Sequence, residues 1–354
     1  MPSSNRPIPY SKAVETIPLD EVSDIQQMIQ AVEKVLERQS ALTGTNQGEV
    51  HVKTHGFAEA EFRILPNLPS ELTQGLFGQS HTYSAVVRFS NSSSQARSDA
   101  LPDGRGIAIK IRSVNGEGIV GDESQERTQD FLMVNHPVFF AKSVKDYLRV
   151  QEVLAHDEAN PMAKFSEFLT RGDWNPLRWN WSELITAARI IGKVPLHLAG
   201  LTYFSMTPFR FGDFVAKYRI QPAGDRDGSL ADLVRLLSTK VDAFRLALEE
   251  TLKNRELLFE FQVQLRNNAS TMPVEDPTVE WPEDESAFRT VAHLLLPRQD
   301  IEQFRHKPEY RSLSFNVWHS LRAHRPLGGI NRSRRAVYAL SSAWRAARIS
   351  SPAS

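Results

Sequence analysis

The chain contains no cysteine. Disulfides, thiolate metal ligands, cysteine-ligated iron–sulfur clusters and cysteine nucleophiles are therefore excluded at the outset. Neither charge is in excess: Lys+Arg and Asp+Glu each number 42 in 354 residues, for a formal net charge of zero. Nucleic-acid binders carry a basic surplus, so no such partner is expected. No apolar run approaches the roughly 18 residues a membrane-spanning helix needs. The opening Met1-Pro-Ser-Ser-Asn-Arg-Pro-Ile-Pro-Tyr lacks the apolar core of a secretory signal. The expected setting is cytoplasmic. Internal repeats and low-complexity tracts are absent, and so are two motifs. No histidines stand at H-E-x-x-H spacing, His319 and His324 included. Gly104 and Gly106 flank Arg105 without the helix start that a phosphate-binding loop requires.

What remains is an ordinary globular balance, 41% hydrophobic and 24% charged, enough to bury a sizeable core. Residues 1–12 read as a loose polar arm. From Leu19 to Leu42, Ile25, Met28, Ile29, Val32, Val35 and Leu36 recur at helical spacing. Val50–Ile64, Tyr83–Ser90 and Gly106–Val114 read as strands, being alternating or rich in β-branched residues. Asp130–Lys142 is apolar, but Pro137 limits any role as a central strand. Helices are predicted over Val144–Ala155, Pro161–Arg171, Leu230–Leu252 and Asn331–Arg348, and strands over Leu201–Pro222, Leu257–Arg266 and Phe288–Pro297. Trp174, Trp179 and Trp181 read as apolar packing. The class is α+β. The division is an arm over residues 1–18 and one domain over 19–354.

Two places carry candidate chemistry. In Asn331-Arg-Ser-Arg-Arg-Ala-Val-Tyr, Arg334 and Tyr338 stand four apart, so a helix puts them on one face. A phenol ionises near pH 10. Ferric iron would supply most of the drive to ionise it, and a neighbouring guanidinium, always charged, would add to it. Alone, such a pair is as a rule a solvated arginine beside a half-buried tyrosine. The second place is Thr54-His55-Gly56, at the head of a strand-rich stretch. Adjacent strand residues point to opposite faces, so Thr54 and His55 can share a pocket only if the backbone bulges or the strand ends there, which Gly56 permits.

Four segments follow in order: Thr54-His55-Gly56, Val87-Arg88-Phe89-Ser90, Asp103-Gly-Arg-Gly-Ile-Ala-Ile-Lys, and Asp130-Phe-Leu-Met-Val-Asn-His-Pro-Val-Phe-Phe. With the closing Arg334-x-x-x-Tyr338 they resemble the haem catalases over roughly residues 45 to 345. The resemblance implies a catalase-type antiparallel β-barrel with surrounding helices, and haem (iron protoporphyrin) buried between barrel and helices. It implies Tyr338 as iron ligand with Arg334 beside it. His55 would take the proton of a hydroperoxide and deliver it to the leaving oxygen. Asn135 would hold the peroxide, and Ser90 would orient the His55 ring. Arg88 and Arg105 would face the haem carboxylates or the proximal side, and Phe139 would line the cofactor. Taken singly, His55 and Asn135 are satisfied core polars, Arg88 and Arg105 are structural arginines, and Phe139 and Phe140 are core. His136 is read as structural.

The sequence departs from ordinary catalases at three points. Thr54 stands where valine is usual. Val52 replaces a basic residue, so His51 or Lys53 would have to bind a propionate. Val134-Asn135 replaces an Asn-Asn pair. A Thr-His pair with a single Asn is more similar to the branch that holds coral allene oxide synthase and small bacterial organic-hydroperoxide peroxidases. The implied function is peroxidase-type reduction of organic hydroperoxides with weak catalase activity. The alternatives are a true catalase, a fatty-acid hydroperoxide dehydrase or isomerase, and a non-catalytic haem carrier. The implied partner is a small hydroperoxide, and homo-oligomerisation is left open.

Overall fold

The structure is a computed structural model that describes residues 6–43, 53–92, 98–101, 103–119, 127–156, 175, 177, 195–224, 230–239, 241–305 and 307–349. The helix expected over Pro161–Arg171 and the three tryptophans lie outside the described residues. So do His51 and Val52.

Among the described residues, nine strands form the sheet. They are β1 (Thr54–Ile64), β2 (Thr82–Asn91), β3 (Arg105–Ile111), β4 (Gln129–Val134), β5 (Tyr203–Phe204), β6 (Phe209–Phe211), β7 (Phe214–Pro222), β8 (Leu257–Leu265) and β9 (Arg289–Leu296). All pair antiparallel. β1 bonds β2 on one edge and β9 on the other, and β5 meets β7, so eight strands close on themselves while β6 hangs on β7 as a hairpin. Closure removes the unpaired edges that an open sheet exposes.

Aromatic rings fill the interior. Phe62 of β1 lies 6.3 Å from Phe131 of β4, and Phe131 lies 4.7 Å from Phe261 of β8 and 5.0 Å from Tyr218 of β7. β1 and β4 are not neighbours, so their rings meet across the barrel and fix which face of each strand points in. β3 is buried along its whole length. That accounts for its nearly continuous apolar run, since a strand covered on both faces need not alternate.

Helices cover the outside. α1 (Glu21–Thr43), α2 (Val144–His156) and α7 (Gly329–Ile349) share a second core of Met28, Val32, Leu36, Tyr147, Leu148, Ile330 and Val337. The stretch read as one helix over Leu230–Leu252 is two, α3 (Leu230–Thr239) and α4 (Ala243–Asn254). Tertiary contacts override propensity at the break: Lys53 Nζ donates to the Val241 carbonyl, and Phe244 N donates to Asp99 Oδ2 at 3.0 Å. Short turns α5 (Glu302–Arg305) and α6 (Pro308–Arg311) precede α7. Among the described residues no helix is long and apolar enough to cross a membrane. Leu201–Pro222, read as one strand, is β5, β6 and β7, because Pro208 and Gly212 (φ +60°) turn the chain.

The described part of the arm, from residue 6 onward, is docked rather than loose. Ile8 N donates to Arg266 O at 2.8 Å and Tyr10 N to Asp213 O at 2.6 Å. Glu15 reaches Arg332 at 2.8 Å, and Arg332 also holds Glu21 and Glu275, fastening the first turn of α7 to the arm and to α1. Gly328, at φ +85°, opens α7. A Cβ there would sit 2.7 Å from the Val274 carbonyl oxygen, so only glycine fits the turn that aims this helix.

One end of the barrel is closed by His324. Leu76 N donates to its Nε2 at 2.9 Å, its Nδ1 lies 3.3 Å from the Tyr218 hydroxyl, and burial lowers its pKa to about 3. His55, at the head of β1, is lowered to about 4, also chiefly by burial. Unfolded, both titrate near 6.5. The unfolded chain therefore binds more protons than the folded chain below that pH, and stability falls as pH falls toward the two folded values. We expect unfolding free energy to decline between pH 6.5 and 5, above the carboxylate range, with a slope that rises toward about 1.4 kcal/mol per pH unit for each imidazole. Guanidinium titrations across that window check it. A flat profile would mean the imidazoles are charged in the folded state.

Candidate functional site

The expected bulge is present. Thr54 pairs with Ser90 and Gly56 with Phe89, so His55 is the extra residue in β1. Its ring turns to the inward register face. Nε2 lies 2.7 Å from Asn91 Oδ1, the Phe244 ring stands edge-on at 5.6 Å, and the side chain is 1% exposed. Arg105 Nη1 donates to the same Asn91 oxygen at 2.5 Å, and its Nη2 donates to the carbonyls of Asp99 (3.1 Å) and Leu101 (2.9 Å). Asp99 is fully buried and ion-paired with Lys53. Burial is the largest influence on His55. Asp99 and the Asn91 bond act to raise its pKa, Lys53 and Arg105 act to lower it, and the ring stays neutral near pH 7. His55 Nδ1 is buried without a hydrogen-bond partner among the described residues.

Asn135 joins this group through Arg105. Its Oδ1 accepts from Arg105 N at 2.7 Å and its N donates to Arg105 O at 2.9 Å, which extends the β3–β4 ladder by one pair. His136 is buried next to it, with Nδ1 3.0 Å from Val138 O.

The other expected residues face the opposite way. Cross-strand partners share a face of the sheet. The pairs Thr54–Ser90, Ser90–Gly106, Gly106–Val134 and Arg88–Ala108 therefore form an outward patch with a floor of small side chains. Arg88 lies 5.0 Å over the Phe315 ring, and Lys110, paired with Asp130 at 2.8 Å, lies 5.5 Å from the same ring.

On α7, Arg334 and Tyr338 stand one turn apart. Arg334 sits 5.4 Å over Phe139, which stacks on Phe140 at 4.3 Å, and it reaches Asn331 Oδ1 at 3.5 Å. Tyr338 is half-buried and packs against the main core. Its hydroxyl makes no hydrogen bond to any described residue. A second phenol, Tyr147 of α2, lies within the field of both Arg334 and Tyr338; its burial pushes its pKa up.

The nine expected residues thus fall into three groups. His55, Arg105 and Asn135 are linked inward through Asn91. Thr54, Arg88 and Ser90 share the outward face. Arg334, Phe139 and Tyr338 lie together at α7. Two expected roles change. The His55 ring is bonded by Asn91 and not by Ser90, because the bulge turns it to the face opposite Ser90. Arg105 gives its guanidinium to internal acceptors, so it does not face outward. Lys53, a candidate for the absent propionate-binding residue, is committed to Asp99. Asn91 was missed. Its only signal was parity: it follows Ser90, so it points where Ser90 does not.

No family model matches the chain, and no curated protein matches it. Solved structures do. A fungal catalase superposes with a TM-score of 0.64 at 17% identity, covering 83% of this chain and 58% of its own. Catalase A from Saccharomyces cerevisiae gives 0.64 at 16%, covering 83% and 60%, and a bacterial catalase gives 0.60 at 16%, covering 97% and 64%. The chain has the catalase fold. It spans less than two thirds of the length of these catalases, and at such identities the likeness is one of fold. The catalase-fold barrel is closed and antiparallel, with helices packed outside it, as the sequence motifs implied.

Proposed function

We propose that the chain is a haem-dependent enzyme acting on hydroperoxides, with Tyr338 as the iron ligand and His55 as the acid/base residue. The observation that carries this reading is the buried, neutral His55, whose Nδ1 has no partner among the described residues, in a catalase fold that also carries Arg334 and Tyr338 one turn apart.

The residues present fit haem. Tyr338 offers a half-buried phenol with no hydrogen bond to a described residue, and Arg334 stands one turn away on the same helix. Gly106 and Ala108 keep the side chains of β3 small on the outward face, beside Arg88 and the hydroxyls of Thr54 and Ser90, while the His55 ring lies on the opposite face. Bound haem would supply an iron centre able to exchange electrons with an O–O bond.

The chain's own residues handle the proton. Neutral His55 accepts it from the hydroperoxide and returns it to the leaving oxygen as the O–O bond parts. Asn135 keeps its amide nitrogen for a substrate oxygen, since its carbonyl is taken by Arg105. Arg105 positions Asn91 and the β3 end rather than binding an anion. Thr54 lies on the face of β1 opposite the His55 ring, where its hydroxyl stands beside Ser90. The Thr-His pair supports reduction of organic hydroperoxides over dismutation of hydrogen peroxide, as in the smaller branch that it resembles.

Purified, haem-loaded protein tested against hydrogen peroxide, cumene hydroperoxide and a fatty-acid hydroperoxide checks the reading. We expect slow oxygen release from hydrogen peroxide, faster consumption of cumene hydroperoxide with a reducing co-substrate, and increased oxygen release in Thr54→Val. Oxygen release near the diffusional ceiling of about 10⁸ M⁻¹s⁻¹ would make this a working catalase. Fatty-acid hydroperoxide loss without a reductant would make it a dehydrase. A haem spectrum with no turnover would make it a carrier.

A further inference from the structure

We infer that Arg105, Asn91 and His55 form an orienting relay that fixes the His55 proton on Nε2 and leaves Nδ1 as its proton-accepting atom. A guanidinium has donors only. Arg105 Nη1 lies 2.5 Å from Asn91 Oδ1, so the amide terminus facing it must be the carbonyl, since an NH₂ there would oppose donor to donor. The Asn91 amide is therefore oriented by Arg105, which is itself held by the carbonyls of Asp99 and Leu101. The same oxygen lies 2.7 Å from His55 Nε2. A carbonyl oxygen accepts and cannot donate, so Nε2 carries the hydrogen. A neutral imidazole has one N–H, and Nδ1 is left with its lone pair.

The surroundings hold the arrangement in place. Asn91, Asp99 and Arg105 are fully buried. The Phe244 ring packs on His55 edge-on and lies 4.7 Å from the Arg105 guanidinium. The charged groups facing the ring are Asp99, Lys53 and Arg105, one carboxylate against two cations. That balance disfavours a third positive charge on His55 and keeps the single-proton form. The buried Nδ1, without a partner among the described residues, is then matched by a ligand that offers an O–H. The consequence for catalysis rests on the acid/base reading above: the hydroperoxide proton is taken at Nδ1, and Asn91 is a positioning residue that touches neither substrate nor cofactor.

The test is ¹⁵N-histidine NMR on the full chain at pH 7, with His55→Gln used to assign the His55 ring signals. The expected signature is a protonated Nε2 and an unprotonated Nδ1. Asn91→Leu removes the acceptor and is expected to lose that signature. Asn91→Asp has nearly the same shape and keeps an acceptor, so it should retain the tautomer. Its charge should move the acid limb of cumene hydroperoxide turnover upward by about one pH unit or more. A protonated Nδ1 in the wild type, or a signature unmoved in a folded Asn91→Leu, overturns the relay. If Asn91→Leu does not fold, an acid limb unmoved in Asn91→Asp does the same. The expected signature in a protein that turns over no hydroperoxide supports the relay and overturns the enzyme reading instead.

Discussion

Tyr338→Phe is expected to abolish either haem retention or the ferric tyrosinate bands of the optical spectrum. Phenylalanine keeps the ring that packs against the main core and removes only the oxygen, so the helix and barrel should persist. The chain has no cysteine to take over, and a histidine or an open site would give a different spectrum. Tyr147 is the phenol most able to confuse the result, because it too lies in the field of Arg334. Burial drives Tyr147 away from ionisation, which is opposite to what a ligand to ferric iron requires. Tyr147→Phe should therefore leave the spectrum intact. Arg334→Ala should weaken binding less than Tyr338→Phe, since the iron provides most of the drive to ionise the phenol. Unchanged bands in Tyr338→Phe would show that the iron ligand lies elsewhere.

The elements nearest this chemistry were legible in the sequence because they are locally encoded. The Arg334–Tyr338 spacing, the arginine- and alanine-rich helix, and the three β-branched runs that became β1, β2 and β3 all appear within windows of about ten residues. The bulge at His55 was legible as well, from Gly56 and from the need to reconcile Thr54 with His55. The direction of the His55 ring was not. It depends on which of two adjacent β2 residues, Ser90 or Asn91, lies on the inner face, and inward is defined only once the barrel has closed. Arg105 shows the same limit. A buried arginine and an outward anion-binding arginine read alike in sequence, and only the carbonyls of Asp99 and Leu101 separate them. The break between α3 and α4 and the docking of the arm arise from contacts such as Phe244 to Asp99 and Glu15 to Arg332. Those residues are more than a hundred positions apart, beyond the reach of any local pattern.

His55→Ala is expected to lower hydroperoxide turnover by about 100-fold or more while the haem spectrum is retained, since a positioned acid/base group contributes roughly 10²–10⁴. Retention is expected because His55 sits in β1 and contacts Asn91 and Phe244, whereas Arg334 and Tyr338 stand on α7. The pH dependence follows from the same geometry. Only neutral His55 can accept a proton, and its pKa is lowered to about 4, so turnover should be level from neutral pH down to about 5 and fall as pH drops through 4. An ordinary histidine would lose activity near 6.5 instead. Asn135→Ala should cost less than His55→Ala. In the proposed reading Asn135 would give one hydrogen bond to substrate, and the bond it accepts from Arg105 N helps fix the end of β3. In His55→Ala the Asn91–Arg105 pair remains, with one acceptor position on Asn91 Oδ1 released. A protein that kept its spectrum and its full rate in His55→Ala would have its proton handled by another group. Asn135 cannot be that group, because a carboxamide is neither a useful acid nor a useful base near neutral pH. The enzyme reading would then lose the acid/base residue that the motif resemblance assigned.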